Sequence, residues 1–157
     1  PEAFAGLDMM VVTDIIPHRC ALAGLHAGLF YASCPYAYVT ACDTPFINKK
    51  VIKHLLNAVQ PRDDVVIPRT VGGLEPLAAV YSKRCLPRIE ANLQQHVLKI
   101  KKFFNYRKVR EIPVDQLKQL DPDLFFSFNV NTPEDLETAE QIFEMIENQN
   151  HGKEKMQ

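Results

Sequence analysis

Four groups of residues in this 157-residue chain could do chemistry. The first is Asp43, which follows the run Tyr36-Ala37-Tyr38-Val39-Thr40-Ala41-Cys42 and precedes Thr44-Pro45-Phe46. A buried strand that ends in a carboxylate delivers a charge to the edge of a sheet, and open α/β sheets bind ligands at the carboxyl ends of their strands. Two readings fit. Asp43 can hold magnesium, a hard cation that takes oxygen ligands and often uses only one or two protein carboxylates beside substrate phosphates. It can equally cap the turn by accepting hydrogen bonds from nearby backbone N–H groups. The second group is Asp14, after Met9-Met10-Val11-Val12-Thr13. In a parallel sheet it emerges at the same edge as Asp43, to bind a metal or a nucleotide's hydroxyls, or it simply opens the next turn. The third is Asn129 and Asn131, which alternation places on one side of a strand end. Their amides both donate and accept, so they suit a phosphate, a base edge or a metal, or else they line the turn into the next helix. The fourth is a basic cluster, Lys99, Lys101, Lys102, Arg107, Lys108 and Arg110. It suits a phosphate-bearing substrate, or is a solvated helix face with long side chains lying along it.

The elements that must position these residues alternate. Met9 to Thr13 reads as a first strand, and Leu22 to Ser33 as a helix after the break at Pro17. Gly24 and Gly28 in that helix point to close approach of a neighbouring backbone, since each costs about 1 kcal/mol against Ala. Tyr36 to Cys42 reads as the central strand. Asn48 is the N-cap of a helix over 49–59. Val65-Val66-Ile67 reads as a strand, Gly72-Gly73 as a tight turn, and Leu77 to Tyr81 as the returning strand. Helices follow from Pro87 toward His96 and over 98–104, then strands over 109–114 and 124–128. Thr132-Pro133-Glu134-Asp135 carries an N-cap, a proline at the first helical position and acids in the first turn. The helix it opens has Leu136, Ala139, Ile142, Phe143 and Ile146 as its buried stripe. This alternation implies a three-layer α/β fold with a mixed, mostly parallel sheet. Residues 1–150 read as one domain and 151–157 as a polar, frayed tail.

Composition narrows the partners. A formal net charge of -1 and a pI near 6.6 give no general signal for a polyanion, so nucleic acid is not favoured. No apolar run approaches the roughly 18–20 residues that span a bilayer, and no signal peptide is read, so a membrane is not favoured either. The four cysteines, Cys20, Cys34, Cys42 and Cys85, lack CxxC or zinc spacing and read as reduced thiols of a cytoplasmic protein. The histidines form no HExxH-like set.

Taken in order, Val12-Thr13-Asp14, Leu22-Ala23-Gly24-Leu25, Ala41-Cys42-Asp43-Thr44-Pro45-Phe46-Ile47, Leu74-Glu75-Pro76-Leu77 and Asn129-Val130-Asn131-Thr132-Pro133-Glu134-Asp135-Leu136 resemble the molybdenum cofactor guanylyltransferases. The strand-end Asp is shared with other nucleotidyltransferases, but the Cys-Asp-Thr-Pro and Asn-x-Asn-Thr-Pro-Glu-Asp-Leu pair in this order is specific. The resemblance implies a Rossmann-like nucleotidyltransferase fold. It implies transfer of GMP from GTP to the terminal phosphate of molybdopterin, with release of pyrophosphate. By the same resemblance, Asp43 is the catalytic and magnesium-holding residue, and Asp14 contacts the nucleotide. Asn129, Asn131, Lys99 and Lys101 match the substrate site, and molybdoenzymes or other cofactor-biosynthesis proteins are partners.

Two departures accompany the resemblance. The family opens with a strand and a loop, Leu-Ala-Gly-Gly-x-Ser-x-Arg-Met-Gly, that cradles the triphosphate and helps read guanine; nothing in this sequence matches it. The first βαβ unit is therefore expected to be missing, and the polypeptide as given is expected to be inactive or nearly so. The family's Arg-Gly-Pro-Leu turn is here Arg19-Cys20-Ala21-Leu22, without the conformational freedom of Gly or the fixed φ of Pro. Two other functions remain open. One is cytidylyl transfer from CTP to molybdopterin, or another nucleotidyl transfer. The other is a degenerate, non-catalytic domain that binds the cofactor or a protein.

Overall fold

The computed structural model describes residues 9–104 and 108–154. Five strands form one mixed sheet: β1 (Tyr36–Thr40), β2 (Val65–Thr70), β3 (Gly73–Leu74), β4 (Ala78–Ser82) and β5 (Val109–Pro113). β4 lies between β1 and β2 and is antiparallel to both. β3 returns along the far end of β2, with Arg69 opposite Leu74, and β5 runs parallel to β2, with Val65 opposite Val109. The helices are α1 (Ala21–Tyr31), α2 (Lys49–Asn57), α3 (Leu86–Gln94), α4 (Ile100–Phe103), α5 (Val114–Lys118) and α6 (Pro133–Glu154).

Strand alternation sorts the core into two layers. Val65, Ile67, Ala79 and Tyr81 pack with Leu22, Leu25 and Leu29 of α1, Ile89 and Leu93 of α3, and Ile100 and Phe103 of α4. Val66, Ala78, Val80 and Ile112 face the other way, against Val51 and Leu55 of α2, Leu117 of α5, and Phe126. β1 splits in the same manner, Ala37 and Val39 to the first layer and Tyr36 and Tyr38 to the second. A sheet buried on both faces between helices is the three-layer α/β fold expected from the alternation.

Local signals held where a side chain closes on its own backbone. Asn48 Oδ1 accepts from the N–H groups of Lys50 at 2.9 Å and Val51 at 3.4 Å and starts α2. Gly73 has φ +112°, the left-handed region in which glycine is free of a Cβ clash, and turns β2 into β3. Burial pushes the Tyr81 phenol well up, helped by neighbouring Cys85, and its hydroxyl donates to the Pro76 carbonyl at 2.7 Å.

Seven expectations need correction. Three of the four strand pairs among the described residues are antiparallel, because β3 and β4 return by a hairpin rather than a crossover helix. Met9 to Thr13 forms no ladder: its backbone has no strand partner among the described residues, and Met9, Met10, Val11 and Val12 are exposed. β1 stops at Thr40, two residues short, where the chain enters a turn through Cys42 and Asp43. A Cβ added at Gly24 or Gly28 would meet nothing within 4 Å, so no neighbouring backbone approaches them. The run 124–128 is a 3-10 turn, Phe125–Ser127, because Leu124 takes a left-handed conformation (φ 57°) that ends any extended run. On α6 only Ala139 of the five stripe residues is buried, while Leu136 and Phe143 are exposed. α6 also continues as helix through Glu154, into the segment read as a frayed tail.

Candidate active site

The sequence around Asp43 folds into a fixed turn. Thr44 Oγ1 donates to the Ala41 carbonyl at 2.8 Å and lies 3.1 Å from Thr40 Oγ1, so two hydroxyls tie the end of β1 back on itself. The Asp43 carbonyl accepts from the Val130 N–H at 2.8 Å. Phe46 closes the same junction, with its ring centroid 5.7 Å from Phe125 and 6.0 Å from Phe128. These contacts join the two motifs that sequence reading had picked out separately, one centred on Asp43 and one on Asn129 and Asn131.

Beside the junction is a cleft of about 430 Å³. Asp43, Thr44, Glu75, Lys99, Lys101, Ser127 and Asn129 supply its polar lining, and Ala21, Ala41, Pro76, Leu77, Ala78, Leu98 and Ile100 its apolar walls. Asp43 Oδ1 is buried and has no hydrogen-bond partner among the described residues. A buried carboxylate oxygen left without a donor is costly, and such an atom calls for an explanation such as an ion or water. A turn cap would have its oxygen satisfied by backbone N–H groups, and no described N–H reaches Asp43 Oδ1. Among the described residues no group of three or more His, Cys, Asp or Glu could hold a metal ion. An all-protein metal cage is therefore not the fit. A hard oxygen ligand on a residue lining a cleft that also carries two lysines is a donor set that suits magnesium shared with substrate phosphates.

The other residues singled out from sequence divide. Asn129, Lys99 and Lys101 line the cleft with Asp43. Lys99 precedes α4, and Lys101 Nζ reaches to 4.0 Å from where a Cβ on Gly73 would sit. Asn131 does not line it. Its backbone N–H donates to Asp135 Oδ2 at 3.0 Å, alongside that of Thr132 at 2.9 Å, while the Asp135 N–H donates to Thr132 Oγ1 at 3.2 Å. This reciprocal cap starts α6, and hydrogen bonds from the Asn131 and Thr132 N–H groups, with the Thr132 hydroxyl, hold the Asp135 carboxyl below its usual range. Asp14 is exposed and does not line this cleft, because among the described residues the run before it joins no sheet that could carry it to the edge.

The basic cluster also disperses. Arg110 Nε donates to Asp63 Oδ2 at 2.5 Å and its Nη2 to Gln60 Oε1 at 2.6 Å, which fixes β5 to the turn before β2. Arg107 lies outside the described residues. Glu75, quoted in sequence within Leu74-Glu75-Pro76-Leu77 but given no role there, is a cleft residue that sequence reasoning missed. The available signal was an acid set against a proline, just past a Gly-Gly turn and ahead of a buried strand.

Comparison with known proteins points to one family. A family model described as the MobA-like NTP transferase domain matches residues 1–112. The molybdenum cofactor guanylyltransferase of Desulfosudis oleivorans is 44% identical over 140 residues, covering 89% of this chain and 69% of that protein. A probable molybdenum cofactor guanylyltransferase of Pelotomaculum thermopropionicum is 38% identical over 134 residues, covering 85% and 64%. The chain thus spans about two thirds of the length of these relatives. Among solved structures, molybdopterin-guanine dinucleotide biosynthesis protein A from Archaeoglobus fulgidus superposes with a TM-score of 0.83 at 29% identity, covering 92% of this chain and 73% of that one.

Proposed function

We propose, for a chain that belongs to the molybdenum cofactor guanylyltransferase family, that the cleft around Asp43 serves GMP transfer from GTP to molybdopterin. The observation that carries the reading is the buried, unpartnered Asp43 Oδ1 in a cleft shared with Lys99, Lys101 and Asn129. In the reaction a terminal phosphate oxygen of molybdopterin attacks the α-phosphorus of GTP. A new P–O bond forms, the bond to the bridging oxygen of the β-phosphate breaks, and its electrons leave with pyrophosphate. The nucleophile is already a phosphate anion near neutral pH, so no general base is required of the protein. What the protein must supply is alignment and charge compensation.

Lys99 and Lys101 offset phosphate charge at the rim, where each acts as a point charge. The Asn129 amide fixes a phosphate or ring substituent by donating and accepting. Asp43 is the residue that would hold magnesium, which when bound neutralises the triphosphate and polarises the phosphoryl oxygens. Asp14 is assigned a nucleotide contact and Asn131 a substrate contact only on the family resemblance, and both would have to move to the cleft to make them. A cytoplasmic location and delivery of the product to molybdoenzymes or other cofactor-biosynthesis proteins belong to the same proposal. No described helix is long and apolar enough to cross a membrane.

The test is formation of the guanine dinucleotide and pyrophosphate from GTP and molybdopterin by the full-length gene product, with CTP as competitor. We expect GTP-dependent product and a loss of at least about a hundredfold in Asp43→Ala, the scale of removing one electrostatic contact from a phosphoryl-transfer site. Undiminished turnover in that variant would remove Asp43 from the reaction. Preferential use of CTP would move the assignment to cytidylyl transfer.

A further inference from the structure

Among the described residues Glu75 is the one carboxylate in the cleft besides Asp43, and the proposed reaction leaves it unused. Its position is held from several sides. Its backbone N–H donates to the Pro68 carbonyl at 3.1 Å, and its carbonyl accepts from the Ala78 N–H at 3.1 Å. Thr70 Oγ1 donates to Glu75 Oε1 at 2.6 Å, and the same hydroxyl accepts from the Gly72 N–H at 3.2 Å. Behind it the Tyr81 hydroxyl anchors the Pro76 carbonyl at 2.7 Å. The side chain is thus oriented before any ligand arrives, as a recognition group must be.

A second acid in a cleft that takes polyphosphate works against the phosphates, and with its side chain already held by the Thr70 hydroxyl it suits a ligand group that donates. A carboxylate has two oxygens and about four lone-pair positions. The Thr70 hydroxyl uses one, which leaves Glu75 able to accept a parallel pair of N–H donors. Both substrates of the proposed reaction carry such a pair. Guanine and the pterin ring present the same 2-amino-4-oxopyrimidine edge, a ring N–H beside an exocyclic amino group. The walls next to Glu75 suit a flat ring, since Pro76, Leu77, Ala78, Leu98 and Ile100 are apolar. Lys99 and Lys101 lie at the same cleft for a phosphate tail.

We propose that Glu75, oriented by Thr70, selects substrate by accepting two hydrogen bonds from a 2-amino-4-oxopyrimidine edge. The inference rests on the functional reading above and adds to it a specificity-determining residue. A site built to bind this edge rejects an analogue with a carbonyl in place of the amino group, because a carbonyl oxygen then faces a carboxylate oxygen with no proton between them.

The experiment measures binding of two matched pairs by calorimetry, with ring fluorescence as a second readout for the pteridines. Pterin is compared with lumazine, its dioxo counterpart, and GMP with XMP, on the full-length wild type and on Glu75→Gln. The Gln side chain keeps an acceptor for the Thr70 hydroxyl, and circular dichroism checks that the variant is folded. We expect the wild type to prefer the amino ring in at least one pair by roughly tenfold or more, the scale of a bidentate contact, and Glu75→Gln to lose that preference. The pair that responds identifies the ring. Preference retained in Glu75→Gln, or no preference in the wild type, overturns the role of Glu75 while leaving the functional reading standing. A wild type that binds none of the four ligands overturns both.

Discussion

Replacing Asp43 by Ala should stabilise the ligand-free protein while removing its response to magnesium and GTP. The unpartnered Asp43 Oδ1 is buried in the cleft wall, and a buried polar atom without a partner costs about 1–3 kcal/mol. The substitution keeps the Cβ and the backbone carbonyl that accepts from Val130. Against the gain stands the packing of roughly one carbon-sized group, up to about 0.8 kcal/mol. The net is a gain of about 1 kcal/mol, which for a domain of this size raises Tm by roughly 2–4 °C. The assay is thermal unfolding in chelator, then in magnesium with GTP. At a ligand concentration a hundred times its Kd the wild type gains about 2.7 kcal/mol by mass action, and the variant gains little, so the order of the two melting curves inverts. A ligand-free variant that melts below the wild type would show that the carboxylate caps the turn. An equal ligand-induced rise in both proteins would refute its place at the nucleotide phosphates.

Three further outcomes are expected. Asn48→Ala removes the acceptor that starts α2 and should lower stability by about 1 kcal/mol in urea unfolding, the usual worth of an N-cap. At Asp63 burial works to raise the pKa, but the Arg110 hydrogen bond, the Gln60 N–H and the charges of Arg110 and Arg84 outweigh it, so the folded carboxyl titrates below its ordinary value. Its stabilisation is therefore fully present above the unfolded carboxyl's pKa of about 3.9 and is lost as pH falls through the folded one; urea unfolding of Asp63→Asn against pH should show a shallower loss in acid. Lys99→Ala and Lys101→Ala should each raise KM for molybdopterin by roughly fivefold with kcat less affected, and the effect should shrink in high salt because both side chains are exposed.

Elements whose signals are local were legible in the sequence. Asn48, the Gly72-Gly73 turn and the Thr132-to-Asp135 cap each close on a few neighbouring residues, and the structure has all three. Strands were less secure, because a strand exists only through its partner. Met9 to Val12 has the composition of a strand and no ladder, whereas Tyr36 to Thr40 has one edge satisfied by β4. The parallel bias failed for the same reason: the β3–β4 return was seen, but its pairing with β1 is a long-range fact. The cleft was legible in its residue types and not in its membership. Asp43, Asn129, Lys99 and Lys101 meet there, while Arg110 is drawn off to Asp63, Asn131 to the helix cap, and Glu75, an acid beside a proline with no role read for it, is brought in by the turn after β3.

The central claim is that the carboxylate at the end of β1 meets the metal-bound phosphates of a nucleotide. A crystal structure of the full-length gene product with manganese in place of magnesium and a non-hydrolysable GTP analogue tests it directly. The expected result is an anomalous peak at metal–oxygen bonding distance from the Asp43 carboxylate, shared with phosphate oxygens of the analogue. A nucleotide bound with its metal held elsewhere, and Asp43 Oδ1 still without a partner, would contradict the claim.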